Sequence, residues 1–185
     1  MKQNESIVMY VLRLAGTLLL ICAVTAGLLA GVNAITAPII AELNAAATQE
    51  AISAVLPGGF DSEITDYADA SGIVSKVYQG ANGYALEVGP GGFDNTITMM
   101  VGVDNEGKVL GISIVNHTET AGLGAVADAD TPKGIAFREQ FIGTSGSVSV
   151  TKDGGTLDAI TGATITSRAI CAGVNAALEC VGKMG

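Results

Sequence analysis

The sequence has no tryptophan, a single histidine and only three cysteines. Basic residues are half as frequent as acidic ones, nine against eighteen, and the formal net charge is −9. The basic residues do not cluster, which argues against a nucleic-acid partner. One histidine and three dispersed cysteines offer no zinc site, no CxxC redox or haem motif and no ferredoxin-type cluster. A GxGxxG dinucleotide-binding stretch is also missing. No nucleophile–base pair is evident either, so the sequence predicts no metal site and no catalytic residues.

What the chain does have is a long uncharged stretch near its N-terminus. Leu14 to Ala41 contains no charged residue, and the 22 residues Leu14–Ile35 would span about 33 Å as a helix. Lys2 and Arg13 precede this stretch, whereas acidic residues lead after it, which places the N-terminus in the cytoplasm. A cleaved signal peptide is the alternative, although its hydrophobic region would be unusually long. We expect a single-pass protein of the cell membrane that contacts the lipid bilayer through Leu14–Ile35.

The sequence predicts three segments in the chain as a whole. Residues 1–36 are predicted to form the cytoplasmic N-terminus and the transmembrane anchor. Apolar residues at helical spacing predict a juxtamembrane helix over residues 37–56, which Pro57, Gly58 and Gly59 end. Residues 57–185 are expected to form a domain on the outer side of the membrane, periplasmic or extracellular.

In this outer domain the apolar pattern changes to the period of two that is typical of strands. Strands are predicted at residues 73–78, 84–88, 95–103, 108–116 and 147–151, and helices at residues 132–141 and 165–181. Short turns join neighbouring strands, so the sheet should be mostly antiparallel with flanking helices. The pattern predicts an α+β domain.

A hydroxyl-rich turn, Asp158–Ser167, runs directly into the last predicted helix. A helix N-terminus binds phosphate well, because its N–H groups are exposed and the helix dipole is positive there. The small residues Gly162 and Ala163 would let a phosphate approach the backbone closely. Serine and threonine are also common in ordinary helix caps, so the turn alone leaves both interpretations open.

A second polar segment, His117–Gly124, follows the predicted hairpin. Its Glu-Thr pair and glycine-rich bend would suit a polar rim around a flat ligand, but also an ordinary strand exit and turn. The loop Gly89–Gly92 leaves its backbone bare, which would allow a ligand to come close.

Together these segments resemble one family. The pattern D-x-x-T-G-A-T at Asp158–Thr164 is similar to the flavinylation motif of FMN-binding domains. Such domains occur in the G subunit of the Rnf electron transport complex and in the C subunit of the sodium-pumping NADH:quinone reductase. The pattern H-x-E-T-x-G-L-G at His117–Gly124 is similar to their second signature, except that Ala121 stands where the family usually has proline. The short chain resembles the Rnf G subunit more closely.

The resemblance implies that FMN is the cofactor and that its phosphate is joined covalently to the Thr164 hydroxyl. A separate flavin transferase would recognise the rest of the motif, which comprises Asp158, Thr161, Gly162 and Ala163. Positions that flank the isoalloxazine ring in such domains correspond to Glu119, Thr120 and Leu123. Weaker candidates for the pocket are Lys152, Gly91, Gly92 and Tyr84. Candidates for neutralising the phosphate are Lys152 and Arg168.

The resemblance also implies a function: an electron-carrying subunit of a membrane-bound, ion-translocating oxidoreductase. Such a complex relays electrons between ferredoxin and NAD and couples the relay to Na⁺ or H⁺ movement, and this subunit would not be catalytic alone. Other membrane subunits and iron–sulfur subunits would be its partners. The alternative is a membrane-tethered module without redox function that binds a peptide or glycan along its glycine-rich loops.

Overall fold

The first element is one long helix. In the computed structural model, which describes residues 2–184, helix α1 runs over Lys2–Val55 and contains Pro38. The predicted anchor and juxtamembrane segments are therefore parts of the same helix. Its large apolar side chains are exposed from Ile7 to Leu43, and it is long and apolar enough to cross a membrane. Proline lacks one N–H group and usually bends a helix, and Pro38 lies just beyond the predicted span Leu14–Ile35.

The chain forms two compact units, residues 1–46 and residues 47–185. The second unit contains a five-stranded antiparallel sheet whose strands follow one another in chain order. Its strands are β1 (Ser62–Ile64), β2 (Val74–Gly80), β3 (Gly83–Val88), β4 (Thr98–Asp104) and β5 (Val109–Asn116). The alternation of apolar residues predicted four of these strands. The first was not predicted because three residues are too few to show a period of two.

Each face of the sheet is covered by a helix. On one face, Leu86, Val88, Met99 and Val101 pack against Ile170 and Val174 of helix α3 (Thr164–Met184). On the other face, Ile52, Val55 and Leu56 at the end of α1 pack against Tyr78, Ala85 and Met100. The α+β class and the antiparallel sheet with flanking helices are thus confirmed.

The segment between the sheet and α3 is mostly irregular. It contains a short 3₁₀ turn at Gly124–Ala127, helix α2 (Pro132–Glu139) and a second 3₁₀ turn at Thr151–Asp153. Helix α2 begins as its sequence predicts, with Thr131 as the N-cap and proline in the first turn. The strand predicted at residues 147–151 is wrong, because Val150 makes only an isolated bridge to Leu157. Gly143 and Gly146 have positive φ angles and bend the chain just before residues 147–151. The second 3₁₀ turn begins at Thr151, so an extended segment would have little room between the bends and this turn.

Candidate functional site

A cleft of about 280 Å³ opens beside the first turn of α3. Both signature segments contribute to its walls, although they are well separated along the chain. The predicted site residues that line it are Glu119, Thr120, Leu123, Lys152, Gly162, Ala163 and Thr164. The fold therefore brings the two segments together at one place.

Thr164 is the first residue of α3, and its hydroxyl has a cationic neighbour. The Lys152 ammonium donates a hydrogen bond to Thr164 Oγ1 at 3.0 Å. The first N–H groups of a helix have no carbonyl partner within it, so this oxygen also lies beside the positive end of the α3 dipole. An ammonium and a helix N-terminus together would stabilise negative charge on a group attached to Thr164.

The turn before Thr164 is fixed by a buried serine. Ser167 Oγ accepts a hydrogen bond from the Ile160 N–H and donates one to the Ala163 carbonyl oxygen, both at 3.0 Å. Gly162 has a φ of +80°, in the left-handed region that favours glycine. A Cβ atom there would lie 3.0 Å from Leu123 Cδ2, so the missing side chain also leaves space next to the cleft. The turn thus holds a defined shape on the cleft side.

Glu119 is a buried carboxylate, only 8% exposed, at the back of the same cleft. Its Oε1 accepts a hydrogen bond from the Phe93 N–H at 2.7 Å, and its Oε2 accepts one from the Thr166 hydroxyl. Its own N–H donates to His117 Nδ1 at 3.1 Å. Glu119 therefore ties the glycine-rich loop, its own segment and the first turn of α3 together.

Two glycines make room for this carboxylate. A Cβ atom at Gly92 would overlap Glu119 Oε1, and one at Gly124 would overlap Glu119 Oε2. The Gly92 N–H also closes a tight turn by donating to the Asn95 carbonyl oxygen at 2.7 Å. The role of Gly92 is thus to admit Glu119, and it does not line the cleft.

The rim of the cleft is apolar and open to solvent. Phe93, Leu123 and Ile165 all line the cleft, with exposed fractions of 66%, 44% and 49%. Large apolar side chains that remain exposed around a concave site often mark a binding surface. The combination of an apolar rim, a cation and a helix N-terminus suits a flat apolar group that carries a phosphate.

Asp158 and Thr161 lie elsewhere. They line a neighbouring cavity of about 510 Å³, together with Gly122, Phe137 and Gln140 among others. Gln140 fixes the backbone of Asp158, since its Oε1 accepts from the Asp158 N–H at 2.7 Å. The turn from Asp158 to Thr164 therefore separates two cavities and presents different motif residues to each.

Two weaker candidates for the pocket, Gly91 and Tyr84, and the phosphate candidate Arg168 also lie outside the lining of the cleft. Gly91 pairs with Thr96 in an isolated bridge. Tyr84 lines a separate groove with Lys183 and Met184, at the last turn of α3. Because α3 has 21 residues, that end is about 30 Å from Thr164. Arg168 donates two hydrogen bonds to Asp153, at 2.6 and 2.7 Å, so its guanidinium is directed at that carboxylate.

Four residues that line the cleft were not predicted: Phe93, Gly124, Ile165 and Thr166. Each lies next to or within a stretch that the sequence had marked. No local pattern, however, indicates that Thr166 bonds to a carboxylate 47 residues earlier in the chain.

Comparison with protein families gives two matches. Residues 92–179 match the FMN-binding domain, and residues 1–55 match the RnfG N-terminal region. The first match includes the whole lining of the cleft, and the second coincides with α1.

Several curated proteins are similar in sequence. The G subunit of the ion-translocating oxidoreductase complex of Methanosarcina acetivorans is 31% identical over 176 residues, which cover 89% of this chain and 91% of that protein. The G subunit of the Na⁺-translocating ferredoxin:NAD⁺ oxidoreductase complex of Acetobacterium woodii is 33% identical, over 68% of this chain and 69% of its own length. The corresponding G subunit of Vibrio vulnificus is 38% identical, over 55% of this chain and 50% of its own length.

Proposed function

This chain belongs to the family of G subunits of ion-translocating oxidoreductase complexes, and we propose that it carries electrons through an FMN group attached covalently to Thr164. Residues 92–179 form an FMN-binding domain. The observation that carries the covalent assignment is the Thr164 hydroxyl, which lies at a helix N-terminus, 3.0 Å from an ammonium group and in a cleft with an apolar rim.

The lining of the cleft fits both halves of FMN. The Lys152 ammonium and the N-terminus of α3 offset the charge of the phosphate. Phe93, Leu123 and Ile165 offer apolar contact to the isoalloxazine ring, and Glu119 and Thr120 form the polar wall beside them. When bound, FMN supplies one- and two-electron transfer, while the protein supplies tethering, orientation and tuning of the flavin potential.

Attachment at Thr164 requires an activated flavin nucleotide, and we assign this step to a flavin transferase. The bond between Thr164 Oγ1 and phosphorus forms, and a phosphoanhydride bond of FAD breaks. AMP leaves, and the hydroxyl proton passes to solvent. Asp158 and Thr161 line the neighbouring cavity and not the cleft, which suits recognition by the transferase better than contact with the flavin.

The wider assembly is part of the proposal. The relative from Acetobacterium woodii is named as part of a Na⁺-translocating ferredoxin:NAD⁺ oxidoreductase. We assign this chain the same kind of role, with Na⁺ or H⁺ as the coupling ion. Other membrane subunits and iron–sulfur subunits would provide the ion path and the remaining electron carriers.

We further propose that α1 anchors the protein in the cell membrane through Leu14–Ile35, with the FMN-binding domain on the outer side. The basic residues Lys2 and Arg13 before the apolar stretch support this orientation. Protease added to intact spheroplasts should then digest the domain. Digestion that occurs only after the membrane is permeabilised would contradict the orientation.

The covalent bond is tested by substituting its oxygen. Thr164→Ala should remove all flavin fluorescence from the protein band on a denaturing gel, because no acceptor oxygen remains. Thr164→Ser keeps a hydroxyl at the same position and should retain measurable attachment.

The host must contain an active transferase, and wild-type protein from the same host is the positive control. Fluorescence that persists in Thr164→Ala would place the bond elsewhere. Wild-type protein without flavin would favour the alternative, a membrane-tethered binding module without redox function.

A further inference from the structure

The second 3₁₀ turn, Thr151–Asp153, is joined to α3 by two neighbouring side chains. Lys152 donates to the Thr164 hydroxyl at 3.0 Å. The next residue, Asp153, accepts two hydrogen bonds from Arg168, at 2.6 Å from Nη2 and 2.7 Å from Nε. Thr164 and Arg168 are four residues apart, so they lie one above the other on the same face of α3.

The Lys152–Thr164 and Asp153–Arg168 contacts differ in how well each fixes the 3₁₀ turn against α3. Lysine has a long flexible side chain, and a single hydrogen bond to a hydroxyl fixes it poorly. A bidentate arginine–carboxylate pair is planar and defines the relative position of both groups. The same bonds lower the pKa of the Asp153 carboxyl, so Asp153 is charged at neutral pH. Of these two contacts, the arginine–carboxylate pair is therefore the one with the geometry to fix where the turn lies on α3.

Arg168 also affects Lys152 through charge. Without Arg168, the Asp153 carboxylate would be left as an unpaired negative neighbour of Lys152, one residue away in the chain. An opposite charge so near would draw the ammonium away from Thr164. With Arg168 present, the negative charge of Asp153 is already compensated.

We propose that the Asp153–Arg168 ion pair is a positioning clamp that keeps the Lys152 ammonium on the Thr164 oxygen and thereby sets the rate of flavin attachment. The inference rests on the proposed function of Thr164. It also gives Arg168 a role different from direct contact with the phosphate, because its guanidinium is directed at Asp153.

The test measures the initial rate of attachment. Full-length protein is produced without flavin in a host that lacks the transferase, and is then purified in detergent. Purified transferase and FAD are added, and protein-bound fluorescence is followed on denaturing gels. Arg168→Gln should lower the rate about threefold to fivefold, a modest effect since the pair is exposed. Lys152→Gln should lower it about tenfold or more, because the cation itself is lost.

A double-variant comparison separates positioning from a general structural role. If Arg168 acts through Lys152, adding Arg168→Gln to Lys152→Gln should cause little further loss. The exchanged pair, Asp153→Arg with Arg168→Asp, should recover much of the rate that either single change removes. Lys183→Gln breaks an ion pair with Glu179 at the other end of α3 and should leave the rate unchanged.

Two results would overturn the clamp. One is a normal rate in Arg168→Gln, and the other is an undiminished Arg168→Gln effect when Lys152 is already glutamine. Both results are compared with the attachment rate of wild-type protein that accepts flavin in the same assay. Wild-type protein that accepts none would instead contradict the proposed function itself, so the two failures are distinguishable.

Discussion

At the level of single residues, the site depends on how tightly Glu119 is enclosed. The carboxylate accepts bonds from the Phe93 N–H and the Thr166 hydroxyl, and Gly92 lies against one of its oxygens. A buried acceptor that loses its donors costs free energy, as do the donors left without it. Changes that push Glu119 out should therefore loosen the loop, the cleft and the start of α3 together.

Substitution of the neighbouring glycines Gly92 and Gly91 tests whether the enclosure of Glu119 stabilises the domain. Gly92→Ala should lower the thermal unfolding midpoint by about 5 °C or more, because its Cβ would overlap Glu119 and lie 2.8 Å from the Asn95 carbonyl oxygen. Gly91→Ala should leave the midpoint almost unchanged, since nothing lies within 4 Å of a Cβ there. Circular dichroism in detergent measures both. Equal effects of the two substitutions would show that Glu119 is not what constrains the loop.

The sequence indicated some of the residues that line the cleft more readily than others, for a physical reason. Thr164 and its small neighbours lie in one short hydroxyl-rich turn, where local chemistry allows either a phosphate or an ordinary helix cap, and the family resemblance favoured the phosphate. The partners of Glu119 come from a distant loop and a distant helix, and only the folded chain brings them within bonding distance. Tyr84 was a candidate by family resemblance, yet its position on β3 places it at the far end of α3.

At the level of elements, the contact between the end of α1 and the sheet depends on another glycine. Gly102 of β4 faces the Val55 carbonyl oxygen, and a Cβ atom there would overlap it. Gly102 pairs across the sheet with Gly111 of β5, where a Cβ would lie 3.8 Å from its nearest neighbour, Val55 Cα. Of the two paired glycines, only Gly102 is therefore required by the close approach of α1.

Substitution of these paired glycines tests the packing. Gly102→Ala should destabilise the domain by about 1–3 kcal/mol, because backbone atoms of α1 would have to move. Gly111→Ala should be neutral or slightly stabilising, since alanine suits a strand better than glycine where space allows. Thermal unfolding of the two variants measures the difference. A Gly102→Ala protein as stable as the wild type would mean that α1 does not need its close approach to β4.

Element prediction succeeded where the apolar pattern is long enough to be read. Strands β2 to β5 alternate between two covered faces, and α3 buries one face over many turns. The strand predicted at residues 147–151 failed because alternating residues there pack individually beneath α3, without a partner strand along their length. Asn175 of α3 holds Val148 by two hydrogen bonds that a neighbouring strand would otherwise supply.

At the level of the whole molecule, an apolar N-terminal helix and a domain that binds FMN suit a carrier held at a membrane. If the domain lies outside the cytoplasm, as we propose, covalent attachment would keep the cofactor in place where the cytoplasmic FMN pool could not refill the site. Three cysteines are too few for a four-cysteine iron–sulfur cluster, and in the proposed assembly other subunits would deliver and accept the electrons.

The central claim is the bond between Thr164 and FMN, and mass spectrometry of the native protein tests it most directly. Trypsin should release the peptide Asp153–Arg168, which contains Thr164. We predict that this peptide carries the mass of one FMN less one water, with fragment ions that place it on Thr164. An unmodified peptide from cells with an active flavin transferase, or a flavin on another residue, would contradict the account.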